Sequence, residues 1–440
     1  MSFSCLPYLT RHGGEFIADL GRLLPIVRRV WEYELETITR KRKLRSFQPL
    51  WATTRKIQVA AQQRIPANVV DVLIVGAGIG GALMALSLAK RNMTILVVDR
   101  RQPVQGSTLA STAMIQHEID MPLHRLTARL GQAKARRAWQ RSAKAVETLT
   151  SLVDNLGIDC HLERKNSLYL AGNAYGARAL ATEAEAREKA GISAVFFNAA
   201  QLREKFGLKR TAAIESTISA SANPAQLTAG VWRKVQADGV AIVGDTEITD
   251  VRSLDDWNAA ATSKGEIIQA RHVVFCTGYE FLDVAANQEH RIFSTWALAT
   301  RPHHPRPRWL KDYVLWEGSD PYLYFRSTAD GRLMVGGEDE ESPTAFQDPV
   351  KLKSKSKTLR AKLSALLKIP IAEPAYQWAA AFGVTADGLP IIGPVPGLNN
   401  VYAVMGYGGN GITYSQIAAE IVSSAILGHQ DPDSELFAFR

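Results

Sequence analysis

Asp71-Val72-Leu73-Ile74-Val75 runs straight into Gly76-Ala77-Gly78-Ile79-Gly80-Gly81, and an Ala- and Leu-rich stretch, 82–90, follows at once. The order is apolar strand, glycine turn and helix start, which is how a dinucleotide-binding βαβ unit begins. Gly76 suits the tight turn, Gly78 lets the backbone approach a pyrophosphate, and Gly81 lets the helix lie close on the strand. The amides opening the helix carry partial positive charge toward the phosphates. A second apolar run, Met93-Thr94-Ile95-Leu96-Val97-Val98, ends in Asp99, where a ribose-binding acid is expected. Such a turn also occurs in βαβ units that bind nothing; strand, helix, second strand and terminal acid in register favour the nucleotide.

Working outward, the loop Gly106-Ser107-Thr108-Leu109-Ala110-Ser111-Thr112-Ala113 offers amides and hydroxyls to a phosphate or a ring edge. Val273-Val274-Phe275-Cys276-Thr277-Gly278 reads as a buried strand ending at Gly278. Thr385-Ala386-Asp387-Gly388-Leu389-Pro390 precedes a second glycine turn, Gly406-Tyr407-Gly408-Gly409-Asn410-Gly411-Ile412, which opens a last helix over 412–427. A helix start there suits negative charge on a reduced flavin ring. An NAD enzyme has no need of this second turn, so the pattern favours FAD.

With Asn223-Pro224 before a helix and Asp330-Gly331-Arg332-Leu333-Met334-Val335-Gly336-Gly337 added, these blocks run in the order of a known family. From about residue 47 to 440 the chain resembles the D-amino acid oxidase/glycine oxidase superfamily of FAD-dependent oxidoreductases. The resemblance implies an α/β fold: a doubly wound, Rossmann-like FAD-binding domain with an inserted substrate domain of mixed, mainly antiparallel sheet. On this division residues 47–130, 215–290 and 378–440 form the FAD domain, 131–214 and 291–377 the substrate domain, and 1–46 a basic extension. It also implies hydride removal from a carbon bearing nitrogen, with a carbon bearing oxygen (a hydroxy acid or polyol phosphate) as the alternative. An NAD-dependent dehydrogenase and a flavin-binding protein without turnover are the remaining readings. The expected FAD contacts are Gly76, Gly78, Gly81, Asp99, Ser107, Thr108, Thr112, Gly278, Gly408, Asn410, Gly411 and Ile412.

On the substrate side the chain departs from the family. The arginine that holds an amino-acid carboxylate is replaced by Phe382, and a second one by Gly409; Gln116 and Thr413 stand where sarcosine oxidases carry basic residues. Loss of a bidentate Arg–carboxylate clamp argues against plain amino acids. Positions used elsewhere for covalent flavin attachment are Ala110 and Ala380, which implies FAD held without a covalent bond. The oxygen-activating lysine corresponds to Met334, leaving O2 or another carrier as electron acceptor. In Tyr322-Leu323-Tyr324-Phe325-Arg326 the period of two puts Tyr322, Tyr324 and Arg326 on one face. Tyr322, Arg326 and Gln116 are therefore the catalytic candidates, with Arg326 either receiving an anionic substrate or pairing with Asp330 or Glu338. His117 reads either as reaching the ring or as satisfied in a domain interface, and Trp378 as packing.

The chain has 440 residues, 46% of them hydrophobic, and a formal net charge of +9. Residues 1–70 hold 12 Lys/Arg against 5 Asp/Glu, whereas the other 370 hold 40 against 38. The basic pI therefore says little about the substrate, and nucleic acid is not an expected partner. The run Arg40-Lys41-Arg42-Lys43 reads as a solvated helix face, or as weak peripheral contact with anionic lipid. Phe16, Leu20, Leu23, Leu24, Val27, Val30 and Trp31 recur at helical spacing around Pro25. Cys5, Cys160 and Cys276 are too scattered for a disulfide framework or a metal site, which points to a reducing cytoplasm.

Overall fold

Val69–Val75 is the middle strand of the first sheet, and its lack of alternation follows from burial on both faces. Val72 and Ile74 pack toward helices Ile79–Leu88, Pro224–Ala237 and Gly411–Ile426, while Leu73 and Val75 face Val251 and Ala260 on the other side. Parallel neighbours run outward in the order Val401–Met405, Ile267–Phe275, Val69–Val75, Ile95–Val98 and Ala241–Val243. Ile391–Pro394 closes one edge antiparallel, and the meander Ile248–Leu254 and Trp257–Thr262 pairs back onto Ile267–Phe275. This computed structural model describes residues 37–283 and 290–440. The apolar spacing between Phe16 and Trp31 lies outside the described residues.

The second sheet has ten strands and is antiparallel except where Tyr313–Gly318 lies beside Glu163–Ala171. Its middle is Tyr376–Val384, Arg291–Ala299, Leu333–Glu340 and Leu323–Ser327, in that order. Alternation sorts its two faces. Leu298, Phe325, Val335, Ala379 and Ala381 pack against Leu359 and Leu363 of helix Pro349–Leu367. Ala297, Ala299, Met334 and Trp378 turn the other way, into the core shared with the first sheet. The chemistry expected of the chain therefore falls where two cores meet.

Local signals decide several ends. Asn223 accepts from the amides of Ala225 and Gln226 with Pro224 in the first turn, so the cap expected at Asn223-Pro224 is present. Helices Leu123–Leu130 and Gln132–Leu156 are separated at Gly131, which takes φ +82°. The longer piece packs on helix Gly411–Ile426, so a division at residue 130 passes through one core.

The boundary expected between an extension and the body at 46/47 is not a structural break. Ile38 N donates to Thr249 O (3.0 Å) and Arg40 N to Phe281 O (2.8 Å), and Leu44 is buried. Arg45–Phe47 is an edge strand on Tyr376–Val384, with Ser46 opposite Ala379. The basic run is not a helix face either. It is non-helical backbone tied to acids: the Arg40 and Lys41 side chains pair with Asp283 (2.6 Å) and Glu247 (2.9 Å), and the Arg42 amide donates to Glu280 (2.9 Å). Among the described residues no helix is long and apolar enough to cross a membrane.

Candidate functional site

The turn after the central strand is held by two contacts that only glycine permits. Gly76 sits at φ +115° with the Cys276 carbonyl against it, and a Cβ on Gly81 would collide with the Gly76 carbonyl oxygen. Gly78 differs, having extended backbone (φ −81°, ψ −167°) that any residue adopts. A Cβ there would meet only Thr108 Oγ1, at 3.3 Å. Asp99 braces the turn: one carboxylate oxygen accepts from Ala77 N (2.6 Å), the other from Arg101 N (2.8 Å). Thr108 Oγ1 accepts from Ile79 N (3.2 Å) at the helix start.

One cavity begins at this turn and runs between the sheets, with about 1700 Å³ of empty space counting its open mouth. Of the expected FAD contacts, Gly76, Gly78, Asp99, Ser107, Thr108, Thr112, Gly278, Gly408, Asn410, Gly411 and Ile412 all line it. Gly81 does not, since it stands one turn deeper against Gly76. Ser107 Oγ is buried without a partner, a donor left for a ligand. At the turn's end Arg100 and Arg101 both pair with Glu280, and Arg100 Nη2 donates to Arg42 O (2.8 Å).

The segment 116–120 forms the facing wall, tied to the second glycine turn. Thr413 Oγ1 donates to Gln116 O (2.9 Å), Asn410 Nδ2 to Glu118 O (2.7 Å), and Gly409 N to Asp120 Oδ2 (3.1 Å). Gln116 is 8% exposed, lines the cavity and leaves Oε1 without a partner. His117 points away: its ring is buried, Nδ1 lies 2.8 Å from Ile218 O, the ring meets Trp139 edge-on, and Nε2 is left without a partner among the described residues. Glu118 points away as well, into a buried group where Arg187 meets Glu118 (3.0 Å) and Glu183 (2.7 Å). Burial opposes the charge on Glu183, yet Arg187 and His124 outweigh it and hold the carboxyl at about 2.

Tyr322 and Tyr324 line the cavity from the second sheet, as the alternation suggests. Gly336, paired with Tyr324 across the sheet, leaves room for that ring. Arg326 shares their face but not their access. It is 2% exposed and donates to three carbonyls, Thr112 O (2.7 Å), Ala222 O (2.9 Å) and Ser327 O (3.2 Å). Burial pushes its pKa down to about 10. It thus meets neither a substrate nor Asp330 or Glu338; it fastens the loop before Ala113 to the sheet. Met334 is buried in the shared core, and Trp378 packs with Nε1 on Ala110 O (2.8 Å). Ala110, Ala380, Phe382 and Gly409 do line the cavity.

Two acids that sequence reasoning missed stand at this end. Asp120 lines the cavity, and Asp339 lies behind Tyr322, Tyr324 and Thr295 with both carboxyl oxygens buried and no cation paired to it among the described residues. Burial pushes the Asp339 carboxyl up to about 6, with the Thr295 and Tyr322 hydroxyls working against that rise and Asp120 adding to it.

A family model described as FAD dependent oxidoreductase matches residues 71–425. The gamma-glutamylputrescine oxidoreductase of Escherichia coli (strain K12) is 22% identical over 380 residues, 83% of this chain and 85% of that protein. Glycine oxidase from Geobacillus kaustophilus superposes with TM-score 0.70 at 19% identity, over 85% of this chain and 99% of that one. L-proline dehydrogenase from P. horikoshii gives 0.71 at 19% identity, over 85% and 97%. These two likenesses show the fold. The family match runs from the central strand to the last helix, well over half of the sequence, and the chain belongs to the DAO family of FAD-dependent oxidoreductases.

Proposed function

We propose that this enzyme oxidises the C–N bond of a small amine: the carbon loses a hydride, the nitrogen a proton, and an imine is left. The observation that carries this is the make-up of the cavity's substrate end. Tyr322, Tyr324, Gln116 and Asp120 face it, whereas Arg100 and Arg101, the only basic residues lining the cavity among those described, stand at the far end with Glu280. An amino-acid carboxylate would find no cation, with Phe382 and Gly409 in the places of the missing arginines. An amine finds acceptors. The similarity to a gamma-glutamylputrescine oxidoreductase, named for an N-substituted amine, supports the same class.

Gly76 and Gly78, with Ser107, Thr108 and Asp99, are the residues that would hold the phosphates and ribose of FAD, and Gly408 to Ile412 its ring end. When bound, FAD supplies the acceptor for the substrate's hydride. The protein's own part is to bind, orient and exclude water. Burial drives the Tyr322 hydroxyl well above its ordinary range, so it stays protonated and can orient the substrate nitrogen. No strong base is required of the chain if the amine binds with its lone pair free. Re-oxidation falls to O2 or another electron carrier, without a lysine at Met334. Anaerobic titration with a panel of amines, amino acids and hydroxy acids tests the reading: amines should bleach the flavin. Bleaching by hydroxy acids and not by amines would overturn it.

FAD is held without a covalent bond on this reading, because Ala110 and Ala380 present no nucleophile to the cavity. Acid precipitation should release all of the flavin to the supernatant; flavin kept in the pellet would contradict it.

A further inference from the structure

We propose that the substrate end is an ammonium site built on Asp120 and Asp339, selecting amines with a second positive charge, the α,ω-diamine and polyamine class, over monoamines and zwitterions. The inference rests on the C–N reading for the chemistry but not for the binding. Four observations converge. Asp120 is open to the cavity and bonded only through Oδ2, to the Gly409 amide. Asp339 is one layer deeper, its oxygens buried beside the Tyr322 and Thr295 hydroxyls and paired with no cation among the described residues. Lys355, whose charge acts on Asp339, makes its contacts elsewhere, with Glu338 O (2.8 Å), Glu340 (3.0 Å) and the Trp296 ring. Gln116, more than nine-tenths buried, lines the same cavity and leaves its amide oxygen without a partner.

The wall thus offers acceptors and negative charge with no cation among the described residues lining it, and acceptors of that kind suit a donor-rich, positively charged partner. Asp120 would meet one ammonium directly. Asp339 acts through the wall as a positioning residue: the Tyr322 and Thr295 hydroxyls next to it gain by turning their hydrogens toward its charge, which leaves their oxygens to accept from the ligand. The charged and titratable groups around Asp339 are Asp120, Tyr322, Tyr324 and Lys355, with Glu338 and Glu340 on its own strand.

The test is calorimetric titration of oxidised holoenzyme with 1,4-diaminobutane, 1-aminobutane and sarcosine, run beside anaerobic flavin reduction. The diamine should bind about tenfold or more tighter than the monoamine. Asp120→Asn should erase most of that ratio and Asp339→Asn part of it, both with full flavin content. For the wild type the ratio should grow as pH rises through about 6, where Asp339 ionises, and this growth should vanish in Asp339→Asn. Equal binding of diamine and monoamine, tighter binding of sarcosine, or a ratio indifferent to both substitutions would overturn the ammonium site. Tight diamine binding without flavin reduction would uphold the site while removing the C–N reading; reduction by monoamine and diamine alike would do the reverse.

Discussion

Replacing Gly78 by valine should leave a folded protein that carries no FAD. The three glycines of the turn look alike in sequence but do different work. Gly76 needs a positive φ and Gly81 needs the absence of a Cβ, so side chains at either would break the strand-to-helix connection itself. Gly78 has ordinary extended backbone, and a Cβ there meets only a hydroxyl at 3.3 Å. A branched side chain at Gly78 would instead fill space at the mouth of the helix, where the pyrophosphate is expected. Purified Gly78→Val should show native circular dichroism and no flavin absorbance. Its unfolding midpoint should no longer respond to added FAD, whereas saturation at a thousand times Kd stabilises a binding-competent protein by about 4 kcal/mol. A yellow Gly78→Val protein with a full complement of flavin would refute this assignment.

The second large effect should come from Arg187, which touches no part of the cavity. Its guanidinium is fully buried between Glu118 and Glu183 and lies 4.6 Å over the Trp139 ring. Glu183 also accepts from the amides of Leu123 and His124, so one cation joins three helices and the 116–120 wall. Removing it strands two carboxylates out of water. Arg187→Met should cost about 3–5 kcal/mol, read as a lower urea midpoint of the holoenzyme. Adding Glu118→Gln and Glu183→Gln should recover much of that loss, since neutral partners no longer need the cation. A midpoint unchanged in Arg187→Met, or a triple variant no better than the single one, would show that the buried charges are not the source of stability there.

What the sequence disclosed was what short segments decide by themselves. Gly76 to Gly81, Asp99, the Asn223-Pro224 cap and the turn before Gly411 all announce their geometry within a few residues. Depth was not legible: alternation put Arg326 on the correct face with Tyr322 and Tyr324, yet its distance from the cavity depends on Thr112 and Ala222, far away in the chain. Nor were the two acids. Asp120 closes the mixed run Gln116-His117-Glu118-Ile119-Asp120, where nothing sets it apart from Glu118, and Asp339 sits in Glu338-Asp339-Glu340-Glu341, which resembles a solvated run until the sheet buries Glu338 and the Asp339 carboxyl. The strand Tyr376–Val384 is similarly faint, because three consecutive alanines carry no preference that its two neighbours do not impose.

The cavity's walls belong to different sheets. The glycine turn and Asp99 hang on the parallel one, while Tyr322, Tyr324, Thr295 and Asp339 hang on the antiparallel one. Mutations that retune the second set change side chains on strands whose backbones never reach the cofactor's phosphates. Selection, natural or in the laboratory, can therefore explore new donors on one wall without first surrendering the flavin held by the other. Changes drawn from the two walls should combine nearly additively, as distant sites do. Gln116 and Asp120 are the exception, since both lean on the second glycine turn, and variation there will trade one property against the other.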